Sequence, residues 1–284
     1  MFFSVFFMDT TFPAISLCYN AFGVSEENAG SEKNERGFEM NIREFIDEKK
    51  KKKEYAQLNT DKYIQLFEKN DKELETLMTY YECALMEIET KFKVMNAEFE
   101  LTREYSPIET IKSRLKTIDS LVAKSHLYNV KPTFEDIEDK IEDVAGIRVI
   151  CSFPEDIYIV ADCFLQQDDI TLIDCKDYIK NPKPNGYRSL HLIVSVPIFL
   201  EHEKRDMKVE VQLRTISMDF WASLEHKLKY KKELPEDIND RIVEDLLECA
   251  TASADLDMRM QNIRRQITGG VSHIDDEVDL QQWM

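Results

Sequence analysis

Two long stretches of the chain carry apolar residues at alternating steps of four and three. The first stretch runs through Leu74, Met78, Tyr81, Leu85, Ile88, Phe92, Met95 and Phe99. The second runs through Ile242, Leu246, Cys249, Ser253, Leu256, Met260, Ile263 and Ile267. Such spacing places these positions along one side of a helix. The pattern therefore predicts two long helices, which pack on each other, on the core or against another subunit.

The segment "SPIETIKSRLKTIDSLVAK" (106–124) also carries apolar residues at helical spacing. It predicts a further helix, with Ser106 as the N-cap and Pro107 at the first position. On this helix Arg114 would lie at the edge of the apolar stripe. A guanidinium in that place must reach water, form an ion pair or stack on a planar group.

The segments that follow alternate between strand and helix patterns. Short runs rich in β-branched residues predict strands, whereas longer runs with helical spacing predict helices. The predicted strands are "AGIRVICSF", "ITLIDCK", 188–196 and 207–214, and the predicted helices are "PEDIYIVADCFLQQ" and 216–230. This order predicts an α+β fold in which a mixed β-sheet is flanked by helices.

The last two predicted strands separate apolar from polar side chains. In 207–214, Met207, Val209, Val211 and Leu213 point to one side, and Lys208, Glu210, Gln212 and Arg214 to the other. Such a polar side most often faces water. If 188–196 is the neighbouring strand, however, His191 and Glu210 would lie on the same side of the sheet.

The ends of the chain differ in composition from its middle. Residues 1–22 are apolar, but Asp9 interrupts them and no basic segment precedes them, which disfavours an export signal. Residues 24–39 are polar and predict a linker. We therefore expect residues 1–39 to be a disordered extension or to precede the true start. The rest divides into a folded domain over 40–268 and an acidic tail over 269–284.

Charge and cysteine content narrow the class of protein. The net charge of -18 over 284 residues disfavours a DNA-binding surface, and five consecutive lysines at 49–53 favour a solvated face over RNA contact. The six cysteines are scattered without a C-x-x-C pair, which indicates reduced thiols in a cytoplasmic protein. No apolar run reaches the ~18–20 residues that span a membrane.

Candidate chemistry gathers around the only two glycines between residues 38 and 268. Gly186 lies in "NPKPNGYRSLHLIV", where it permits a sharp turn between Lys183, which suits phosphate, and Tyr187, which suits a planar base. Gly146 lies in "EDVAGIRV", which places a carboxylate before a strand. Together with Glu210, Asp143 is a candidate pair for Mg²⁺.

Further cations would surround this pair in an otherwise acidic protein. They are Arg114, Lys116, Lys124, Arg148 and Lys176. A local group of cations and planar side chains beside two carboxylates is more typical of a nucleotide site with Mg²⁺ than of a groove for a polynucleotide.

Four segments resemble the synthetase domain of the RelA/SpoT family. They are "SPIETIKSRLKTIDSLVAK", "DKIEDVAGIRVICSF", "KDYIKNPKPNGYRSLHLIV" and "VEVQLRTISMDFWASLEHKLKYK". The last is similar to the small alarmone synthetases in particular, and the resemblance covers roughly residues 70–265. It implies a nucleotidyltransferase-like domain that transfers pyrophosphate from ATP to the 3′-hydroxyl of GTP or GDP, which yields pppGpp or ppGpp and AMP.

The resemblance also implies roles for individual residues. Asp143 matches a Mg²⁺ ligand, and Glu210 matches the glutamate that binds Mg²⁺ or activates the hydroxyl. The residues implied to contact ATP are Arg114, Lys116, Lys124, Arg148 and Lys176, the two arginines flanking the adenine. Those implied to contact GTP or GDP are Lys183, Tyr187, His191 and Gln212, with Tyr187 stacked on the guanine.

The resemblance implies a cytoplasmic homotetramer that uses Mg²⁺. No histidine is followed directly by aspartate, so the family's hydrolase signature is missing and synthesis without hydrolysis is expected. Two alternatives stay open. One is a toxic relative that modifies adenine nucleotides or the 3′ end of tRNA. The other is a catalytically silent regulator that binds nucleotide or RNA.

Overall fold

The computed structural model describes residues 71–131, 133–229 and 236–268. The predicted extension over 1–39, the lysines at 49–53 and the acidic tail over 269–284 lie outside these residues. The domain boundaries of the sequence analysis therefore stay predictions. In the described part of the chain, no helix is long and apolar enough to cross a membrane.

Six helices and five strands make up the described fold. The helices are α1 (Asp71–Thr102), α2 (Ile118–Leu127), α3 (Phe134–Lys140), α4 (Pro154–Leu165), α5 (Ile216–Lys229) and α6 (Glu236–Ile267). The strands are β1 (Ile108–Leu115), β2 (Ala145–Cys151), β3 (Thr171–Asp177), β4 (Leu190–Phe199) and β5 (Lys204–Thr215). The α+β class and the two long helices are thus confirmed.

The five strands form one mixed sheet in the order β1-β2-β5-β4-β3. Strand β5 occupies the centre, where it pairs in parallel with β2 and antiparallel with β4. Strands β1 and β3 pair antiparallel at the two edges. Because paired residues point to the same side of a sheet, this register decides which side chains meet.

One face of the sheet is apolar and carries the core. The predicted row Met207, Val209, Val211 and Leu213 is buried there, as are Leu190, Leu192, Val194 and Val196 of the neighbouring strand. Helix α1 covers these strands with the side of its stripe that includes Phe92, whose ring stacks on Phe164 of α4 with centroids 4.6 Å apart. The core therefore lies between the sheet and these two helices.

The predicted helix over 106–124 is wrong. Residues 108–115 form strand β1, which pairs with β2 from Ile108 to Leu115, and a separate helix begins after Thr117. The Thr117 side chain accepts a hydrogen bond from the Ser120 amide, so Thr117 and not Ser106 is the N-cap. The helical spacing was misleading because pairing with β2 outweighs local propensity. Arg114 consequently lies on an edge strand and not beside a helical stripe.

The other face of the sheet is polar and brings the candidate residues together. One row of paired residues across this face consists of Arg114 on β1, Gly146 on β2 and Glu210 on β5. A second row on the same three strands consists of Lys112, Arg148 and Gln212. The second row continues through His191 to Lys176 at the far edge. Helix α5 borders this face, and α6 packs against α5, where the Trp221 indole donates to the Leu246 carbonyl at 2.8 Å.

Gly186 closes the turn that leads to Tyr187. Its backbone has φ +84, a value that side chains strongly disfavour, and its amide donates to the Lys183 carbonyl at 2.8 Å. An added Cβ would lie only 2.4 Å from the Cβ of Ala250 on α6. This glycine therefore permits both the turn and the close approach of α6.

We predict that Gly186→Ala lowers the free energy of unfolding by at least about 2 kcal/mol, through backbone strain and the clash with α6. Gly146→Ala is the matched control, because a Cβ there would meet Arg114 O and Glu210 O only at ordinary distances of 3.8 and 3.9 Å. Denaturant unfolding of both variants measures the difference. Equal stabilities for the two variants would contradict this account of the turn.

Candidate active site

Glu210 is the centre of a hydrogen-bonded network on the polar face. One carboxylate oxygen lies 3.1 Å from Nδ1 of His191, and the other accepts from Nε2 of Gln212 at 2.8 Å. Both neighbours come from the register of β4 and β5, which sets His191 beside Gln212. The sequence prediction that His191 and Glu210 share one side of the sheet is therefore confirmed in geometry.

The environment keeps Glu210 ionised and His191 neutral. Burial alone would raise the pKa of Glu210, but the contacts with His191 and Gln212 outweigh it, so the pKa lies below its ordinary value. Burial lowers the pKa of His191, and this effect exceeds the opposing influence of Glu210. A neutral imidazole beside a carboxylate carries its proton on Nδ1, which leaves Nε2 as an acceptor.

Tyr187 connects the turn to this network. Its hydroxyl lies 2.8 Å from Nε2 of His191 and accepts a hydrogen bond from Nη2 of Arg214, so it is arranged to donate to the imidazole. The Lys183 ammonium lies 4.3 Å from the ring centroid of Tyr178 and 5.0 Å from that of Tyr187. The turn thus presents aromatic rings and cations on the β3–β4 side of Glu210.

Asp143 lies in the turn before β2 and binds two of the predicted ATP contacts. Lys116 Nζ is 2.7 Å from one carboxylate oxygen, and Lys124 Nζ is 2.5 Å from the other. Burial would raise the pKa of Asp143, but these two lysines lower it below its ordinary value. The corrected secondary structure explains the meeting, because Lys116 follows strand β1 and Lys124 lies on the short helix α2.

Arg148 lies on β2 and is held by a residue that the sequence analysis did not select. Its Nη1 donates to Oδ1 of Asp219 at 3.0 Å, and Nη1 of Arg214 donates to the same oxygen at 3.2 Å. Asp219 occupies the first turn of α5, which begins directly after the central strand. The three residues border the network around Glu210.

The last two predicted ATP contacts lie at opposite edges of the polar face. Arg114 is exposed on β1, in the row of Gly146 and Glu210. Lys176 lies on β3, where its ammonium is 2.6 Å from Asp174 and 3.8 Å from Glu142. The structure therefore brings every predicted residue to this face or its rim, with Arg114 and Lys176 at the periphery.

Sequence reasoning missed Arg214, Asp219 and Tyr178 as members of this site. The sequence pattern does place Arg214 on the polar side of its strand. Because it alternates with Glu210 and Gln212, this spacing was the signal that could have identified it as a site residue. The rings of Tyr178 and His191 are nearly perpendicular, with centroids 5.2 Å apart. Asp219 offered only a weak signal, since acidic residues are common in the first turn of helices.

The two candidate metal ligands are compatible with Mg²⁺. Asp143 and Glu210 are both ionised, and the charge of Asp143 influences the pKa of Glu210. No group of three or more His, Cys, Asp or Glu residues in the described segments could hold a metal ion. Mg²⁺ accepts one or two protein carboxylates and takes its other ligands from water and phosphates, so this donor set suits it when nucleotide is present.

The chain is similar in sequence to known nucleotide enzymes. A family model described as the region found in RelA / SpoT proteins matches residues 113–234. GTP pyrophosphokinase YwaC of Bacillus subtilis is 42% identical over 187 residues, which cover 66% of this chain and 88% of that relative. The chain belongs to the RelA/SpoT family. The residues matched by the family model include Asp143, Glu210 and the turn around Gly186.

Solved structures place this RelA/SpoT chain among the small alarmone synthetases. The crystal structure of small alarmone synthetase 2 from Bacillus subtilis is 39% identical, with a TM-score of 0.61 over 68% of this chain and 99% of that chain. That of small alarmone synthetase 1 from the same organism, bound to its product pppGpp, is 33% identical, with a TM-score of 0.62 over 69% of this chain and 98% of that chain.

We predict that His191 titrates below the ordinary pKa of about 6.5 for histidine. Because the unfolded chain takes up this proton first, the His191 contribution to stability is present above that pKa and is lost as the pH falls below it. Imidazole NMR titration, with the signal assigned by the His191→Gln variant, measures the midpoint. In Glu210→Gln the midpoint falls further, since the carboxylate that favours the imidazolium is removed. A midpoint at or above the ordinary value contradicts the prediction.

Proposed function

We propose that this chain is a GTP pyrophosphokinase of the small alarmone synthetase type. It transfers the β,γ-pyrophosphate of ATP to the 3′-hydroxyl of GTP or GDP and releases AMP. Family membership and the similarity to YwaC support this activity. The observation that carries it is the ionised Glu210, which lies between the aromatic turn around Tyr187 and the group of cations around Asp143.

The donor nucleotide is assigned to the side of the polar face formed by β1, β2 and α2. Lys116 and Lys124 both bind the carboxylate of Asp143. In the proposed function, phosphate oxygens would take the place of this carboxylate. Arg114 and Arg148 offer planar guanidinium groups for the adenine from adjacent strands. Lys176 adds a cation at the opposite edge, where triphosphate charge would extend.

The acceptor nucleotide is assigned to the side formed by the 183–187 turn and β4. Tyr187 offers a ring for the guanine, and Lys183 lies close enough to this ring to bind a phosphate of a stacked nucleotide. His191 and Gln212 flank Glu210 and orient it through their hydrogen bonds. The acceptor hydroxyl would then lie within reach of the Glu210 carboxylate.

Transfer of a pyrophosphate group requires mainly that the two nucleotides are positioned and that the phosphate charge is neutralised. The 3′-oxygen attacks the β-phosphorus, the bond from that phosphorus to the α,β-bridging oxygen breaks, and AMP leaves. The lowered pKa keeps Glu210 ionised, and its carboxylate accepts the proton of the hydroxyl late in the transfer, when the attacking oxygen has become acidic. Asp143 and Glu210 would hold Mg²⁺, which neutralises phosphate charge when bound. ATP and GTP are cytoplasmic metabolites, which supports the predicted cytoplasmic localisation.

We expect the full chain, mixed with Mg²⁺, ATP and GDP or GTP, to release AMP in equal amount to ppGpp or pppGpp. Glu210→Gln should lower kcat by about 10²-fold or more, because the proton acceptor is lost. Anion-exchange chromatography of the products measures both. Asp143→Asn should raise the Mg²⁺ concentration needed for half-maximal rate.

The matched control is Glu203→Gln, which removes a carboxylate whose partner is the Tyr80 hydroxyl at 2.9 Å, outside the polar face. It should leave the rate unchanged. Parallel reactions with AMP and with deacylated tRNA test the toxic relative, and transfer to either of these acceptors alone would refute the proposal. Nucleotide binding without any product would indicate a silent regulator.

We further propose that the chain assembles as a homotetramer through α6. Near the start of the α6 stripe, Leu246 is buried against Trp221, and Ile242 packs against the same cluster. The second half of the stripe continues the same repeat but is exposed. Its exposed members are Leu256, Met260, Ile263 and Ile267. An apolar stripe of this length on a soluble chain is typical of a subunit interface.

Light scattering after size exclusion should give the mass of a tetramer, and Ile263→Glu should dissociate it, because a buried unpaired carboxylate is costly. Phe199→Glu is the control, since this side chain is 73% exposed at the end of β4, far along the chain from α6. A tetramer that survives Ile263→Glu, or a monomeric wild type, contradicts the assembly.

A further inference from the structure

Three cations converge on the carboxylate of Asp219. Arg148 and Arg214 donate to Oδ1 at 3.0 and 3.2 Å, and the Lys112 ammonium is 3.6 Å from Oδ2. The Asp219 side chain is 13% exposed, so this carboxylate is largely removed from water. A shielded carboxylate between cations of separate strands has a stronger effect on their placement than a surface pair would.

The two arginines differ in how firmly the rest of the protein holds them. The Arg214 side chain is 5% exposed, and it also donates to Gln212 Oε1 at 2.9 Å, to Ser189 Oγ at 3.4 Å and to the Tyr187 hydroxyl. The Arg148 side chain is 33% exposed, and its ion pair is with Asp219. The like charge of Arg214 acts on Arg148, so Asp219 offsets a repulsion between them.

We propose that Asp219 is a positioning residue that joins the donor and acceptor halves of the site. It holds the Arg148 guanidinium on the donor side despite the repulsion from Arg214. Arg214 in turn supports Tyr187 and Gln212 on the acceptor side. This inference rests on the proposed function, because that function assigns Arg148 to ATP and Tyr187 to the guanine nucleotide.

Loss of the Asp219 charge has unequal consequences for the two arginines. Arg214 keeps its contacts with Ser189, Gln212 and Tyr187, and therefore stays in place. Arg148 faces the uncompensated charge of Arg214 and has water within reach, so it turns away from the site. The donor side should consequently lose affinity, while the acceptor side and the chemistry at Glu210 should change little.

The test measures binding of each nucleotide by calorimetry on the full chain. The donor probe is an ATP analogue with a methylene group between the α and β phosphorus atoms, and the acceptor probe is GDP. Asp219→Asn should weaken binding of the ATP analogue by about tenfold, as expected for a lost charge-assisted contact. It should weaken GDP binding less than threefold, and Asp219→Glu should restore part of the loss.

A double-mutant cycle separates positioning from general structural damage. If Asp219 acts on the donor through Arg148, Asp219→Asn should add little to the loss of analogue binding that Arg148→Ala already causes. Glu138→Gln is the matched control, because it breaks the 2.8 Å ion pair with Arg205 at similar exposure and should leave both affinities unchanged. Thermal unfolding of all variants checks that they fold.

Additive losses in the cycle, or equal weakening of both nucleotides by Asp219→Asn, would overturn the inference. If the wild type makes alarmone and the losses are additive, only the positioning role fails. If the cycle behaves as expected but the wild type transfers no pyrophosphate, the proposed function fails and the positioning role stands. A wild type that does not bind the ATP analogue refutes both.

Discussion

The central position of β5 is the constraint on which the rest of the site depends. Its parallel pairing with β2 and antiparallel pairing with β4 fix a register that sets Arg148, Gln212 and His191 in one row. A shift of this register by one residue would turn Glu210 into the core and Val211 toward the nucleotides. The buried row of Val209, Val211 and Leu213 resists such a shift, so packing on one face secures the chemistry on the other.

Each of the three main carboxylates on the polar face is stabilised by specific ion-pair or hydrogen-bond partners. Asp143 binds two lysines, Asp219 binds two arginines, and Glu210 accepts hydrogen bonds from neutral groups. This difference matters, because neutral donors weaken a carboxylate as a base less than cations at similar distances do. The surroundings thus favour Glu210 over Asp143 as proton acceptor.

Much of this arrangement could be predicted from the sequence, because alternation along a strand is a local property. The polar side of β5 followed from period-two spacing, and the meeting of His191 with Glu210 followed from the same spacing on the condition that β4 and β5 are neighbours. The segment 106–124 failed for the opposite reason, since its apolar spacing fits a helix while its structure depends on pairing with β2. Asp219 was missed because its cationic partners lie on three different strands, and only the assembled sheet brings Arg148 and Arg214 to the same oxygen.

The pairing of these charges also bears on how substrates would be held. In the proposed function, Lys116 and Lys124 bind ATP phosphates, yet in this structure both already bind Asp143. Phosphate binding would therefore exchange one anionic partner for another, and the exchange would release Asp143 for Mg²⁺ that arrives with the nucleotide. Because an unpaired, half-buried carboxylate would be costly, phosphate and metal would favour each other's binding in the proposed function, and the site would suit the ATP–Mg²⁺ complex more than either component alone.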